Sequence, residues 1–293
     1  MGFQEQGFQQ KLLSSAKDTK SIVSMGLDPV RKAMPTPGPF EDATRTFFDA
    51  IFEEMIKQKV FPGAFKLNQG FYEMYDVPSQ RDFAGSRALA TTIETLRANF
   101  PNIPIILDYK RGDIGKSSTN YSIVAKNWGV DAITVHGYMG EDSVFPFLQD
   151  RSVGVYVLTL TSNPGSKNFQ KIVAGDKKVY EHVAAQIAEW AKTYRNIGMV
   201  IGATHPEELE GITKDKEQQT IPLLIPGVGD QKGDLDAIVN AITGTGYMTA
   251  LARINSSSGV IHPWKTADKA PKNYAVEVVK QLDTLNKTIN YTG

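Results

Sequence analysis

The chain has 293 residues, 41% of them hydrophobic and 22% charged, an ordinary globular composition with enough apolar matter for a sizeable core. Its 32 basic and 32 acidic residues cancel, so no global field favours nucleic acid or an anionic membrane, and any anion must be held by a local site. There is no cysteine, which excludes disulfides, thiolate zinc sites and cysteine nucleophiles.

The opening "MGFQEQGFQQKLLSSAKDTK" lacks the apolar core of a signal peptide and reads as a short helical extension of about residues 1–20. No apolar run approaches the roughly 20 residues of a membrane span. The expectation is therefore a cytoplasmic protein with no membrane or nucleic-acid partner.

Short β-branched runs then alternate with longer stretches of helical periodicity. The strand candidates are Ser21–Leu27, Gly63–Asn68, Ile103–Asp108, Asp131–His136, Val153–Leu160, Gly198–Ala203, Ile221–Gly227 and Tyr247–Arg253. Between them lie helix-like segments such as "ATRTFFDAIFEEMIKQK", "SRALATTIETLRANF" and "DLDAIVNAIT", and "YAVEVVKQLDTLNKTI" comes last. Strands that are apolar almost throughout are buried on both faces, as in a parallel sheet covered by helices. Eight of them, each followed by a helical segment, predict an α/β fold, a (β/α)8 TIM barrel. An open doubly wound sheet is the alternative. No Pro/Gly/Ser linker or internal repeat divides the chain, so residues 1–293 read as a single domain.

Barrels bind ligands at the C-terminal ends of their strands. In chain order those ends carry Asp28, then Lys66 and Asn68, then Asp108, Lys110 and Asp113 within "ILDYKRGDIG". "SNPGS" at Ser162–Ser166 follows the fifth strand, "PGVGDQKGD" at Pro226–Asp234 the seventh, and "NSSSG" at Asn255–Gly259 the eighth. Taken singly, each has an ordinary structural reading as a helix cap, a loop salt bridge or a turn. Their convergence on one rim is what points to a site.

Lys66, Asp108, Lys110 and Asp113 can alternate in sign, so that each charge has opposite neighbours and stays ionised although partly desolvated. Such an array is either a salt-bridge network of the barrel mouth or a site prepared for charge that develops on a substrate. The glycine-rich loop with Gly227, Gly229 and Gly233 allows close backbone approach, and Gln231 adds a side-chain donor. Barrels commonly bind phosphate at this place, so a phosphorylated small molecule is the expected ligand.

The combination resembles the orotidine 5′-phosphate decarboxylase family, in particular its longer, type 2 branch. "GLDP" at Gly26–Pro29, "FKLN" at Phe65–Asn68, "LDYKRGDIG", "DAITV…YMGEDSVFPFL" from Asp131 to Leu148, "TSNPGS" and "PGVGDQKGDL" follow one another as in that family. The resemblance implies decarboxylation of orotidine 5′-phosphate to UMP, in pyrimidine synthesis, without metal or organic cofactor. By position, Asp108 crowds the substrate carboxylate, Lys110 stabilises the carbanion and delivers the proton, and Lys66 holds the array together. Asp113, with the hydroxyl of Ser117, implies a homodimer in which these two residues complete the neighbour's site. Asp28 falls on ribose, Ser162 on the pyrimidine edge and Gln231 on phosphate, with Asn68 and Pro226 as further substrate contacts.

Two departures stand out. The family's phosphate-pairing arginine after the eighth strand is Ser258 here, which removes a bidentate guanidinium. Lys232 is the candidate substitute cation; Arg253 falls earlier, within the strand. "VHG" at Val135–Gly137 also replaces the usual Asn-Pro, and His136 reads as a neutral rim histidine. The alternatives carried forward are a catalytically impaired nucleotide-binding homologue and a related sugar-phosphate decarboxylase or hexulose-phosphate synthase. Those last relatives share Asp-x-Lys-x-x-Asp but use magnesium.

Overall fold

The computed structural model describes residues 7–228 and 234–292. Eight of their strands close into a parallel barrel: β1 (Val23–Gly26), β2 (Ala64–Asn68), β3 (Ile105–Arg111), β4 (Ala132–His136), β5 (Gly154–Leu160), β6 (Ile197–Ile201), β7 (Leu223–Pro226) and β8 (Ala252–Ser256). Neighbours in sequence are neighbours in the sheet, and β8 closes on β1 through Val23–Ile254 and Ser24–Asn255. The barrel, not the open sheet, is the fold.

A helix α1 (Phe8–Thr19) comes first. One helix of eight or more residues then follows each strand: α2 (Phe40–Gln58), α3 (Ala84–Asn99), α4 (Gly115–Asn127), α5 (Glu141–Leu148), α6 (Val179–Ala191), α7 (Pro206–Lys214), α8 (Leu235–Thr243) and α9 (Tyr274–Ile289). α2 shows why these segments are helical. Ala43, Phe47, Phe48, Ile51, Phe52 and Met55 recur at three- and four-residue steps and are all buried, while its other face is charged. The strands are buried along nearly their whole length, as their uninterrupted apolar runs require.

α1 covers the N-terminal end of the barrel. Phe8 meets Tyr156 edge to face at 5.5 Å between ring centroids, and a side chain at Gly154 would collide with the Phe8 ring. Arg253 is fully buried there and donates to the carbonyls of Leu12 in α1 and Gly63 before β2, at 2.7 and 3.1 Å. Burial pulls its pKa down to about 10, so it remains a cation solvated by carbonyl oxygens. This arginine is a clamp between α1 and the barrel floor, at the opposite end from the strand-end carboxylates.

Two strands differ from the sequence reading by more than two residues at an end. The eighth strand is Ala252–Ser256, not Tyr247–Arg253, because Thr249–Leu251 forms a 3₁₀ turn. "YMTALAR" suits either conformation locally; pairing with β1 and β7, including Asn255 opposite Pro226, selects the later register. Asn255 is thus a strand residue rather than a loop residue. β3 runs on to Arg111 instead of ending at Asp108, through an irregular stretch of its pairing with β4.

Candidate active site

At the C-terminal ends of the strands lies a cavity of about 570 Å³. Asp28, Lys66, Asn68, Asp108, Lys110, Ser162, Pro226 and Ser258 all line it. Parallel strands explain the convergence: residues two apart share a face, so Lys66 and Asn68 of β2 point the same way, and Asn68 pairs in register with Asp108.

The charges alternate along a chain of contacts. Lys66 Nζ lies 3.9 Å from Asp28 Oδ2 and 3.2 Å from Asp108 Oδ2. Lys110 Nζ reaches the other oxygen of Asp108, Oδ1, at 2.6 Å. The amide of Asn68 lies 3.5 Å from Asp108 Oδ2, and its backbone N–H donates to Asp28 Oδ1 at 2.9 Å. Asp108 therefore accepts from both sides at once.

Burial alone would favour the neutral form of Asp108. The charges of Lys66 and Lys110, with hydrogen bonds from Lys110 and Thr134, outweigh it and hold the carboxyl far below the usual carboxylate range. Lys66 shows the mirror case: burial works against its charge, yet Asp28 and Asp108 raise its pKa above that of a free lysine. Accessibility separates the two lysines. The Lys66 side chain is 4% exposed and Lys110 is 43% exposed, so Lys110 is the more open of the two where they line the cavity. Lys66 holds the array from behind.

Small residues give the rest of the wall its shape. A β-carbon on Gly202 would lie 2.5 Å from the backbone N of Ser162, and Thr204 Oγ1 donates to the Ser162 carbonyl at 3.0 Å. A β-carbon on Gly26 would overlap Ser257, so that glycine lets the turn after β8 approach β1. The Ser162 backbone and the Ser257 turn are thus set by neighbouring strands rather than by their own loops.

Asp113 and Ser117 do not line this cavity. They stand beside and in the first turn of α4, Asp113 half-buried and Ser117 exposed, and Asp113 Oδ1 accepts from the Ile114 N–H. Gln231 and Lys232 lie outside the described residues, as do Gly229 and Gly233. The cations lining the cavity among the described residues are Lys66 and Lys110, both at its β2–β3 end.

Sequence reasoning passed over Thr134 and Gln170, which line the cavity together with Asn255 of the "NSSSG" stretch. Threonine in "DAITVH" is an expected strand former, and Gln170 lies beyond the turn, where it accepts from the Thr161 N–H at 2.7 Å. Neither carries a local signal. His136 does line the cavity; partial burial, and then the charge of Lys110, lower its pKa, which favours the neutral ring. Among the described residues, no cluster of three or more His, Asp or Glu side chains is arranged to hold a metal ion, and no helix is long and apolar enough to cross a membrane.

A family model described as orotidine 5′-phosphate decarboxylase / HUMPS family matches residues 65–261. An orotidine 5′-phosphate decarboxylase of Halobacterium salinarum is 37% identical over 257 residues, covering 87% of this chain and 89% of that protein. One from Azoarcus sp. is 36% identical over 270 residues, covering 90% and 93%. Among solved structures, Leishmania donovani OMP decarboxylase superposes with a TM-score of 0.74 at 28% identity, covering 98% of this chain and 100% of that one.

Proposed function

The chain belongs to the orotidine 5′-phosphate decarboxylase family and is a carboxy-lyase, and we propose that it converts orotidine 5′-phosphate to UMP through the Lys66–Asp108–Lys110 array. The observation that carries this reading is the Asp108 carboxylate, ionised and fixed between two ammoniums, one of which faces the cavity.

The chemistry asks for that arrangement. The bond from pyrimidine C6 to its carboxylate breaks, CO₂ leaves, and the electron pair stays on C6, where no π system takes it up. The proton on Lys110 Nζ moves to C6, and solvent later restores it. Fixed charges favour this transition state over the bound substrate because they need not reorganise as charge develops. Asp108, close to the departing carboxylate, repels it in the ground state and holds Lys110 aimed at C6. Positive charge at the reacting carbon comes from lysine, so the reading requires no metal.

Asp113 and Ser117 complete the neighbouring site of a homodimer in the same reading. Their surroundings support it. α4 buries only Ser118 and Ala125, leaving Ile123 and Val124 exposed, with Ile114 just ahead of it. Tyr138, 90% exposed, and Met139, which lies against Gly112 next to Asp113, are exposed apolar side chains as well. Exposed apolar side chains on and just ahead of α4 suit a surface that a second subunit covers. Ribose hydroxyls fall to Asp28, the pyrimidine edge to Ser162, and the phosphate to the Pro226–Val228 and Ser257–Gly259 turns with Gln231.

Purified protein given orotidine 5′-phosphate in excess EDTA is expected to consume it, followed by loss of substrate absorbance. Absence of turnover at every substrate concentration overturns the reading in favour of a nucleotide-binding homologue, the alternative that Ser258 recommends. Turnover that EDTA abolishes returns it to the magnesium-using relatives.

A further inference from the structure

The pairing of β3 with β4 breaks at one place, and a single side chain fills the gap. Leu107 pairs with Ile133 and Arg111 with Val135, so four steps along β3 are matched by two along β4. Asp108, Tyr109 and Lys110 therefore face Thr134 alone. A bulge of this kind leaves backbone N–H groups without a carbonyl on the adjacent strand. Here the N–H groups of Tyr109 and Lys110 both donate to Thr134 Oγ1, each at 3.0 Å.

A hydroxyl has two acceptor positions and one proton. With both acceptor positions taken, the proton has one destination within reach, Asp108 Oδ1 at 2.8 Å. Thr134 is 1% exposed, so these three bonds are made away from bulk water. Lys110 within the bulge has φ 46°, a left-handed conformation that side chains other than glycine rarely adopt. That backbone turns its ammonium back onto the same Asp108 oxygen that Thr134 addresses.

We propose that Thr134 is a positioning residue for the reaction: its hydroxyl holds the left-handed bulge that aims Lys110 and keeps Asp108 oriented as the acceptor. This rests on the decarboxylase reading above. A threonine that served only as a strand former would need none of these bonds, and valine would replace it without effect. The saturated hydroxyl at the bulge separates the two roles.

Thr134→Val keeps the shape and removes the donor and both acceptor positions. Its kcat is expected to fall by about ten- to hundredfold, the loss of a buried bond to a charged group, while the affinity for UMP changes by less than about threefold. Thr134→Ser restores the hydroxyl and should bring kcat back to within about threefold of the parent. Amide exchange supplies a readout that needs no turnover: in Thr134→Val the Tyr109 and Lys110 amides exchange faster, and those of Leu107 and Ile133 do not. Unchanged kcat in Thr134→Val, or Thr134→Ser as impaired as Thr134→Val, overturns the proposal. So does a loss of UMP affinity equal to the loss of kcat, which marks a merely structural role. If the parent protein itself fails to turn over, the decarboxylase reading fails instead, and unaltered exchange at Tyr109 and Lys110 in Thr134→Val would then dismiss the positioning role of Thr134 as well.

Discussion

The two ends of the cavity are built by opposite means. At the β2–β3 end, Asp28, Lys66, Asp108 and Lys110 are tied into one network within the protein, and the charges are in place before any ligand arrives. At the β7–β8 end, Pro226, Gly227, Ser257, Ser258 and Gly259 are neutral, and Gly227 takes φ 106°, a conformation that brings backbone rather than side chain to the cavity. The contrast shows where folding energy has been committed. Desolvating charges in advance stabilises a transition state only where charge changes during the reaction, and in the proposed reaction that is at C6, not at the phosphate. In the proposed reaction the phosphate keeps its charge throughout, and its binding energy would hold the substrate against Asp108.

The largest effect should come from breaking the charged end. Lys110→Ala is expected to lower kcat by at least about 10⁴-fold, because proton donor and carbanion partner are lost together, while UMP binding stays detectable. A Lys110→Ala variant with near-native kcat removes that lysine as proton donor. The same variant also probes the dimer. Equal amounts of Lys110→Ala and Asp113→Ala subunits, refolded together, should regain about one quarter of parental activity, because half the dimers are mixed and each holds one intact site. No recovery above the separate variants argues against a shared site.

A smaller effect should follow from restoring charge at the neutral end. Ser258→Arg is expected to lower KM for orotidine 5′-phosphate by about tenfold, as a guanidinium pairing with phosphate would. kcat should stay within about twofold, since uniform binding leaves the chemical step alone. Unchanged KM and kcat/KM would mean that the phosphate end loses nothing by having serine there.

An effect on stability rather than on turnover lies where the two ends are joined. His262, just after the Ser258–Ile261 turn, is buried against Phe47 and lies with Nε2 3.3 Å from the Val30 N–H, in the loop that also carries Asp28. Burial pushes its pKa down from 6.5 to about 4. The unfolded chain therefore takes up a proton that the folded chain refuses. Stability is fully present above pH 6.5 and falls as pH drops toward 4, by on the order of 3 kcal/mol at most. Denaturant titrations of parent and His262→Phe across that range should show a shallower pH slope in the variant; parallel slopes would take His262 out of the acid response.

Much of this molecule is legible in one dimension. Doubly buried parallel strands have to be apolar throughout, so the alternation of such runs with amphipathic helices announces a barrel. The strand-end rule then collects Asp28, Lys66, Asn68, Asp108, Lys110 and Ser162 onto one rim. Boundaries were harder where local preference is neutral: "YMTALAR" accommodates a 3₁₀ turn or a strand, and only pairing with β1 and β7 decides. Arg253 illustrates another limit, since nothing local says which end of the barrel a strand arginine faces. Its carbonyl partners in α1 and before β2 place it on the floor.

The sequence by itself determined the element order, the family, and which side chains are candidates for the chemistry, because these depend on residue type and on spacing along the chain. Tertiary structure decided the division of labour among them. Lys66 and Lys110 are alike as residues, and they differ only because one is enclosed behind Asp28 and Asp108 while the other opens onto the cavity. The charge cluster in "ILDYKRGDIG" is likewise split by geometry. A bulge pinned by Thr134, twenty-four residues beyond Lys110, turns Asp108 and Lys110 inward, and α4 carries Ser117 outward beside Asp113. That partition is a matter of backbone hydrogen bonds between strands, which no local stretch of sequence contains.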